Sequence, residues 1–254
     1  MTDQTVARPA PSLGSRLIWG LISTALLAAY IAWNMGWVWA LAGVTGVFVH
    51  EYGHVLAINA LGSGPGRIHI IPFFGGAATM TTPPSSEFKG VLIALAGPVF
   101  GLIAMAPFFV VYALTGDGRW TGGALFIAGI NLLNLAPAPP LDGSKVLGPA
   151  LARIHPWLER GVLIALAGLA LCWAFTHGQI AIGAFVGLGA VRAFMPGALR
   201  PASTPLTVGQ WFTALGLYAL ALCLCLIAVV TIVNLGAAES PSGFRSLLPA
   251  FGGR

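Results

Sequence analysis

Phe48-Val49-His50-Glu51-Tyr52-Gly53-His54-Val55-Leu56 decides how the chain is read, because two imidazoles and a carboxylate stand inside a run that is nearly all apolar from Val38 to Leu61. Such a run is long enough to cross a bilayer as a helix, which takes roughly 20 apolar residues. A charged side chain at the centre of a membrane helix costs about 2.5–3.5 kcal/mol on insertion scales, so ionisable residues kept there mark a functional site. The spacing says what kind of site. Positions i and i+4 share one helix face, so the imidazoles of His50 and His54 can reach one ion. Glu51 lies about 100° round the helix, near enough to touch a water on that ion without taking a coordination place. The pattern points to metal-assisted hydrolysis at membrane depth.

Composition agrees with that setting. The chain has 254 residues, of which 57% are hydrophobic and only 7% charged, against about 25% charged in a soluble domain. Mean hydropathy is +0.88, which leaves too little polar surface for a water-soluble fold. The net charge of +5 does not indicate nucleic acid, because no Lys/Arg cluster interleaved with aromatics is present. Basic residues of membrane proteins collect in cytoplasmic loops instead. Cys172, Cys223 and Cys225 all fall in apolar runs without a CxxC motif, and read as structural helix residues rather than ligands or a disulfide framework.

Apolar runs separated by polar or Pro/Gly-rich breaks predict spans near 17–33, 37–61, 90–114, 121–137, 160–176, 179–195 and 208–235. The pair 160–195 reads equally as two short spans or a folded-back hairpin. The expected fold is an all-α polytopic membrane protein of about six to seven transmembrane helices. Its parts are a cytoplasmic tail (1–16), one transmembrane domain (17–237) and a polar tail (238–254). A cytoplasmic N-terminus puts Arg8, Arg16, Arg67, Lys89, Lys145, Arg153, Arg160, Arg192 and Arg200 inside and only Arg119, Arg245 and Arg254 outside, the positive-inside pattern. Trp33, Trp37 and Trp39 at the first outer turn read as an interfacial aromatic belt. His50 and His54 precede Leu61 by about seven to eleven residues, which places an ion held there roughly 10–17 Å below the cytoplasmic surface at the helical rise.

Between the second and third spans, Arg67 to Met80 reads as a strand, a turn at Gly75-Gly76 and a second strand; a plain loop is the alternative. An isolated hairpin is marginal in water, so this one should pack on the membrane core, where its edge could accept an extended peptide. Gly97 and Gly101 form a GxxxG pattern in an apolar span, and Gly183 and Gly187 repeat it. Close helix packing accounts for both.

A catalytic zinc site has three protein ligands and one open position, so the two histidines need a third partner. Only seven acids are present. Asp3 and Glu239 lie in the tails and Asp117 at the outer turn. Glu87 and Glu159 sit at cytoplasmic helix starts, where acids favour the dipole, and Glu51 is off the histidine face. Asp142 is left. It follows Pro137, Pro139 and Pro140, which cannot continue a helix, and broken backbone at membrane depth is tolerated where it lines a wet cavity. The alternative for Asp142 is an N-cap of the next helix. His69, His155 and His177 read as solvated or interfacial.

These motifs together resemble the site-2 protease family of intramembrane zinc metalloproteases. The resemblance rests on His50-Glu51-Tyr52-Gly53-His54 and on Asn134 and Pro137 followed by Pro139-Pro140-Leu141-Asp142-Gly143. Pro72 to Gly76 and Ala96-Gly97-Pro98 look like the family's hairpin and following-span signatures. It covers roughly residues 37–145, a three-helix core, without a PDZ or CBS domain. The resemblance implies one zinc per chain held by His50, His54 and Asp142, and Glu51 as general base. It also implies that Asn134 positions the substrate or steadies the oxyanion; Asn131, one turn earlier, could share the polar lining. The implied activity is a zinc metalloendopeptidase cutting a transmembrane protein substrate in or near its membrane segment, in a multi-pass protein of a bacterial inner (cell) membrane. A zinc transporter or a non-catalytic membrane scaffold is the alternative.

Overall fold

The computed structural model describes residues 13–71, 75–193, 195 and 203–239. Of the expected tails (1–16 and 238–254), residues 1–12 and 240–254, and with them Arg8, Arg245 and Arg254, lie outside the described residues, as do Arg200 and the segment 72–74; residues 13–16 and 238–239 belong to helices. Among the described residues the chain is mostly helical, in the order α1 (Leu13–Met35), α2 (Trp37–Ala60), β1 (Arg67–Ile71), β2 (Gly75–Thr79), α3 (Glu87–Ile103), α4 (Ala106–Thr115), α5 (Arg119–Asn134), α6 (Asp142–Ile154), α7 (Pro156–Thr176), α8 (Ile180–Ala193) and α9 (Val208–Glu239).

Breaks between helices follow from residues that cannot continue them. Gly36 separates α1 from α2 at φ 102°, a left-handed conformation that an L side chain rarely adopts. Pro107 in the first turn of α4 offers no N–H to the preceding turn, and the helix is offset at Ala104–Met105. Pro156 restricts His155 to extended backbone, φ −163° and ψ 135°, which ends α6 and starts α7. Ser86 caps α3 by accepting a hydrogen bond from the Lys89 amide at 3.2 Å, with Glu87 in the first turn.

Among the described residues, five stretches are long and apolar enough to cross a membrane: Ile18–Met35, Trp37–Ala60, Glu87–Thr115, Pro156–Thr176 and Val208–Leu235. The expected count of six to seven is not reached on that criterion. The two runs expected as spans at 121–137 and 179–195 form α5 of 16 residues and α8 of 14, shorter than the roughly 20 residues a helix needs. The reason in α5 is the proline-rich break that follows it: the chain leaves the helix at Leu135 and resumes one at Asp142.

α2 is the hub, packed on α1, α3 and α5, and α9 lies across α3, α5 and α6. One apolar core joins α2, α4, α5 and α9 through Val38, Ala42, Phe108, Ile127 and Ile232. A second joins α3, α6 and α9 through Val91, Leu95, Val146, Ala214 and Cys225. α9 also braces the breaks, since Tyr218 donates to the Leu135 carbonyl at 2.6 Å and Trp211 to Ala150 at 2.9 Å. Trp39 departs from the aromatic-belt expectation. Trp33 is exposed, but Trp39 is buried against Phe126 and the bare face of Gly122. A tryptophan facing small residues of a neighbouring helix packs inward.

The hairpin is present. β1 and β2 are antiparallel, with Arg67 opposite Thr79 and Ile71 opposite Gly75. Gly75 and Gly76 are therefore in β2 rather than in a turn. The reason is proximity to α2: a Cβ on Gly76 would lie 2.6 Å from Glu51 Cγ. A side chain there would keep the strand off the helix.

Candidate metal centre

The face of α2 carrying His50 and His54 is turned towards α3 and the start of α6. Gly53 lets the helices meet, because a Cβ there would lie 2.6 Å from the Ala96 carbonyl oxygen of α3. At that separation His54 Nδ1 reaches the Ile93 carbonyl at 2.7 Å. A carbonyl only accepts, so Nδ1 carries the proton and Nε2 keeps a free lone pair. His50 Nδ1 lies 2.9 Å from Asn131 Oδ1 of α5, which leaves its Nε2 free in the same way.

The two Nε2 atoms meet Asp142. His50 Nε2 and His54 Nε2 are 3.1 Å apart, and Asp142 Oδ2 is 3.1 Å from the first and 3.0 Å from the second. All three residues are buried. Two imidazole lone pairs and a carboxylate oxygen converging on one point, away from water, form a group that could hold a metal ion. Bonds of about 2.0–2.1 Å in tetrahedral arrangement put ligand atoms roughly 3.3 Å apart, close to the separations present. Space for the ion is kept by Gly97 of α3, where a Cβ would lie 2.3 Å from His54 Nε2 and 2.7 Å from His50 Nε2. The donor set fits zinc.

Asp142 is the first residue of α6, after the N-cap Leu141, and its side chain makes no capping bond. Its carboxylate is turned to the histidines, so the N-cap alternative does not describe it. Lys145, one turn on, donates to the other oxygen, Oδ1, at 2.7 Å. Position i+3 on the same helix face makes that pairing available. Gly143 allows the tight return from Leu135, since a Cβ there would lie 2.1 Å from the Leu135 oxygen.

Glu51 stands outside this convergence. It is buried, and its Oε2 accepts a hydrogen bond from the Ala78 amide of β2 at 2.6 Å. Because Ala78 N–H is committed to Glu51, it is not in the ladder with β1. The alternation of antiparallel pairing then turns the polar groups of Gly76 to the same side. The edge of β2 away from β1, unpaired among the described residues, thus runs along the site. A cavity of about 870 Å³ opens from the histidines, lined among others by Ala78, Asn134, Pro140, Lys145, Glu159 and Phe185. The proline-rich break does line it.

The other residues singled out from the sequence fall as follows. Asn134 lines the cavity and its amide donates back to Ile130 at 3.0 Å; it is Asn131 that touches a histidine. Glu87 does more than favour a helix dipole, since its Oε2 accepts from the Leu206 amide at 3.0 Å. Glu159 is in the first turn of α7 as expected, and it is also 4% exposed and lines the cavity. His155 caps α7 by accepting from the Trp157 amide, His177 stacks on Trp173 and His69 is exposed on β1. The cysteines are free. The Gly97/Gly101 pattern, expected to pack helix on helix, instead makes room for the imidazoles and for Asn131, whose Oδ1 would lie 2.0 Å from a Cβ on Gly101. Among the described residues, a Cβ on Gly183 or Gly187 would meet Ala174 or Leu171, at 3.4 and 3.6 Å.

Comparison with known proteins gives a partial match. No family model matches the chain. Over 138 residues, 52% of its length, the chain is 30% identical to the "Putative zinc metalloprotease sll0528" of Synechocystis sp., and that stretch covers 36% of the relative. The chain thus aligns with about a third of the length of the curated relative.

Proposed function

We propose that this protein is a zinc metalloprotease that hydrolyses a peptide bond within or near the transmembrane segment of a membrane-protein substrate. The observation that carries the reading is the convergence of Asp142, at the start of α6, on His50 and His54 of an apolar helix in a membrane-type bundle, with Glu51 beside them. The relative's name supports the metalloprotease part.

His50, His54 and Asp142 would hold the ion, with Asn131, the Ile93 carbonyl and Lys145 fixing their orientations. Zinc bound there supplies a nucleophilic water near neutral pH and polarises the scissile carbonyl. Glu51 takes a proton from the attacking water as the new C–O bond forms, and returns it to the amine nitrogen as the C–N bond breaks. Asn134, on the cavity wall, steadies the carbonyl oxygen. The substrate helix must first unwind, and each backbone group freed in lipid costs several kcal/mol. Strand addition to the open edge of β2 compensates those groups and lays the peptide past Glu51. With a cytoplasmic N-terminus, the cut falls in the cytoplasmic half of the substrate's span and releases a cytoplasmic product.

Glu51→Gln tests the chemistry. The variant retains zinc and fold, because Glu51 is not among the three converging ligands, but loses cleavage by a factor of roughly 100 to 10,000, the usual contribution of a general base. Cleavage of a membrane substrate within tenfold of wild type, read by mass spectrometry of the new termini, would reject the proposal.

A further inference from the structure

Asn131 is the least accessible polar residue of the bundle, 0% exposed, and it lies 81 positions from the histidine it touches. A buried amide in an apolar helix is costly unless all of its groups are satisfied. Here they have assigned partners. Asn131 Nδ2 donates to the Ile127 carbonyl at 2.8 Å within its own helix, which fixes the amide so that Oδ1 faces His50. The reverse orientation would set oxygen against the Ile127 oxygen. Oδ1 can only accept, so His50 Nδ1 is the protonated nitrogen and Nε2 is the one left to bind an ion. The berth of Asn131 is made by a residue on a third helix: any Cβ on Gly101 would lie 2.0 Å from Oδ1 and 2.3 Å from Nδ2.

We infer that Asn131 is a positioning residue that holds His50 in its metal-binding tautomer, and that Gly101 supplies the room that lets it do so. The inference rests on the zinc reading of the site but adds to it a relay across three helices, Gly101 on α3, Asn131 on α5 and His50 on α2. His54 needs no such side chain because the Ile93 carbonyl plays the same part. Asn131 acts through His50, whereas Asn134 faces the cavity.

The relay makes a specific prediction for paired substitutions, read as zinc affinity of the full chain in detergent by competition with a chelator. Asn131→Leu, similar in size but without an acceptor, should weaken zinc about 10–100-fold, as loss of a histidine's outer partner does. Asn131→Asp keeps an acceptor towards His50 but loses the donor held by the Ile127 carbonyl, so it should recover only part of the loss and bind zinc more tightly than Asn131→Leu. Gly101→Ala should also weaken binding, by evicting the amide. The double variant Gly101→Ala/Asn131→Ala should bind no more weakly than Asn131→Ala alone, because the amide that the added methyl would strike is gone. Helix content by circular dichroism separates misfolding from a site effect.

Wild-type affinity in Asn131→Leu, or losses that add in the double variant, would overturn the relay. A wild-type chain that binds no zinc would overturn the metal reading instead. The relay is then judged on its own by nitrogen spectra of labelled histidine at alkaline pH. His50 should carry its proton on Nδ1 in wild type and lose that preference in Asn131→Leu; an unchanged tautomer would reject it.

Discussion

Two glycine pairs of identical spacing behave differently in this molecule. Gly183 and Gly187 of α8 face α7 at ordinary van der Waals separations, 3.4 and 3.6 Å from an added Cβ to the nearest side chain. Gly97 and Gly101 of α3 face the imidazoles and the Asn131 amide, with corresponding separations of 2.3 and 2.0 Å. The first pair lets two helices lie near each other, as small residues do in membranes. The second leaves out volume that polar side chains from α2 and α5 then occupy. The same sequence pattern can thus mark a contact or a chamber, and only what stands opposite tells which.

Substitutions at the four positions test this contrast. The largest effect is expected from Gly97→Ala, which puts a methyl carbon against both ligating imidazole nitrogens. Zinc affinity should fall at least to the upper end of the roughly 10–100-fold range seen for outer-partner losses, with the chain still helical; unchanged zinc content would show that the ion lies elsewhere. Gly101→Ala comes next, with an expected loss of roughly tenfold through Asn131, and wild-type zinc affinity there would erase the difference between the two glycine pairs. The smallest effect belongs to Gly183→Ala and Gly187→Ala. Both should leave zinc binding unchanged and alter stability by no more than about 1 kcal/mol, the helix-propensity difference between the two residues. A zinc defect in either would mean that α8 takes part in the site.

The central part of the site could be read from the chain because helical periodicity fixes it locally. His50 and His54 share a face wherever that segment is helical, and Asp142 emerged because few other acids were available. What was not legible depends on neighbours distant in sequence. Asn131 carries no local signal separating it from Asn134, since the two lie three residues apart on one helix and only the packing of α5 against α2 selects the first. Lys145 was read as a cytoplasmic charge, yet its place one turn after Asp142 on a helix start was enough to suggest the pairing. Trp39 was assigned to an interface because hydropathy cannot distinguish a tryptophan facing lipid from one facing Gly122. The span count is not confirmed at α5, where the proline-rich break that makes room for Asp142 also shortens the helix before it.

The Ala78 amide has a single proton, and Glu51 now accepts it at 2.6 Å. A peptide strand added along β2 would claim that proton for its own carbonyl. Under the proposed strand addition the two bonds would compete for one proton, so the arrival of a peptide would be coupled to the release of the carboxylate. While the edge is vacant, the carboxylate is tethered to a neighbouring backbone. Once the edge was taken, that oxygen would have lost its backbone partner, and the carboxylate would be free to turn towards a water at the ion site.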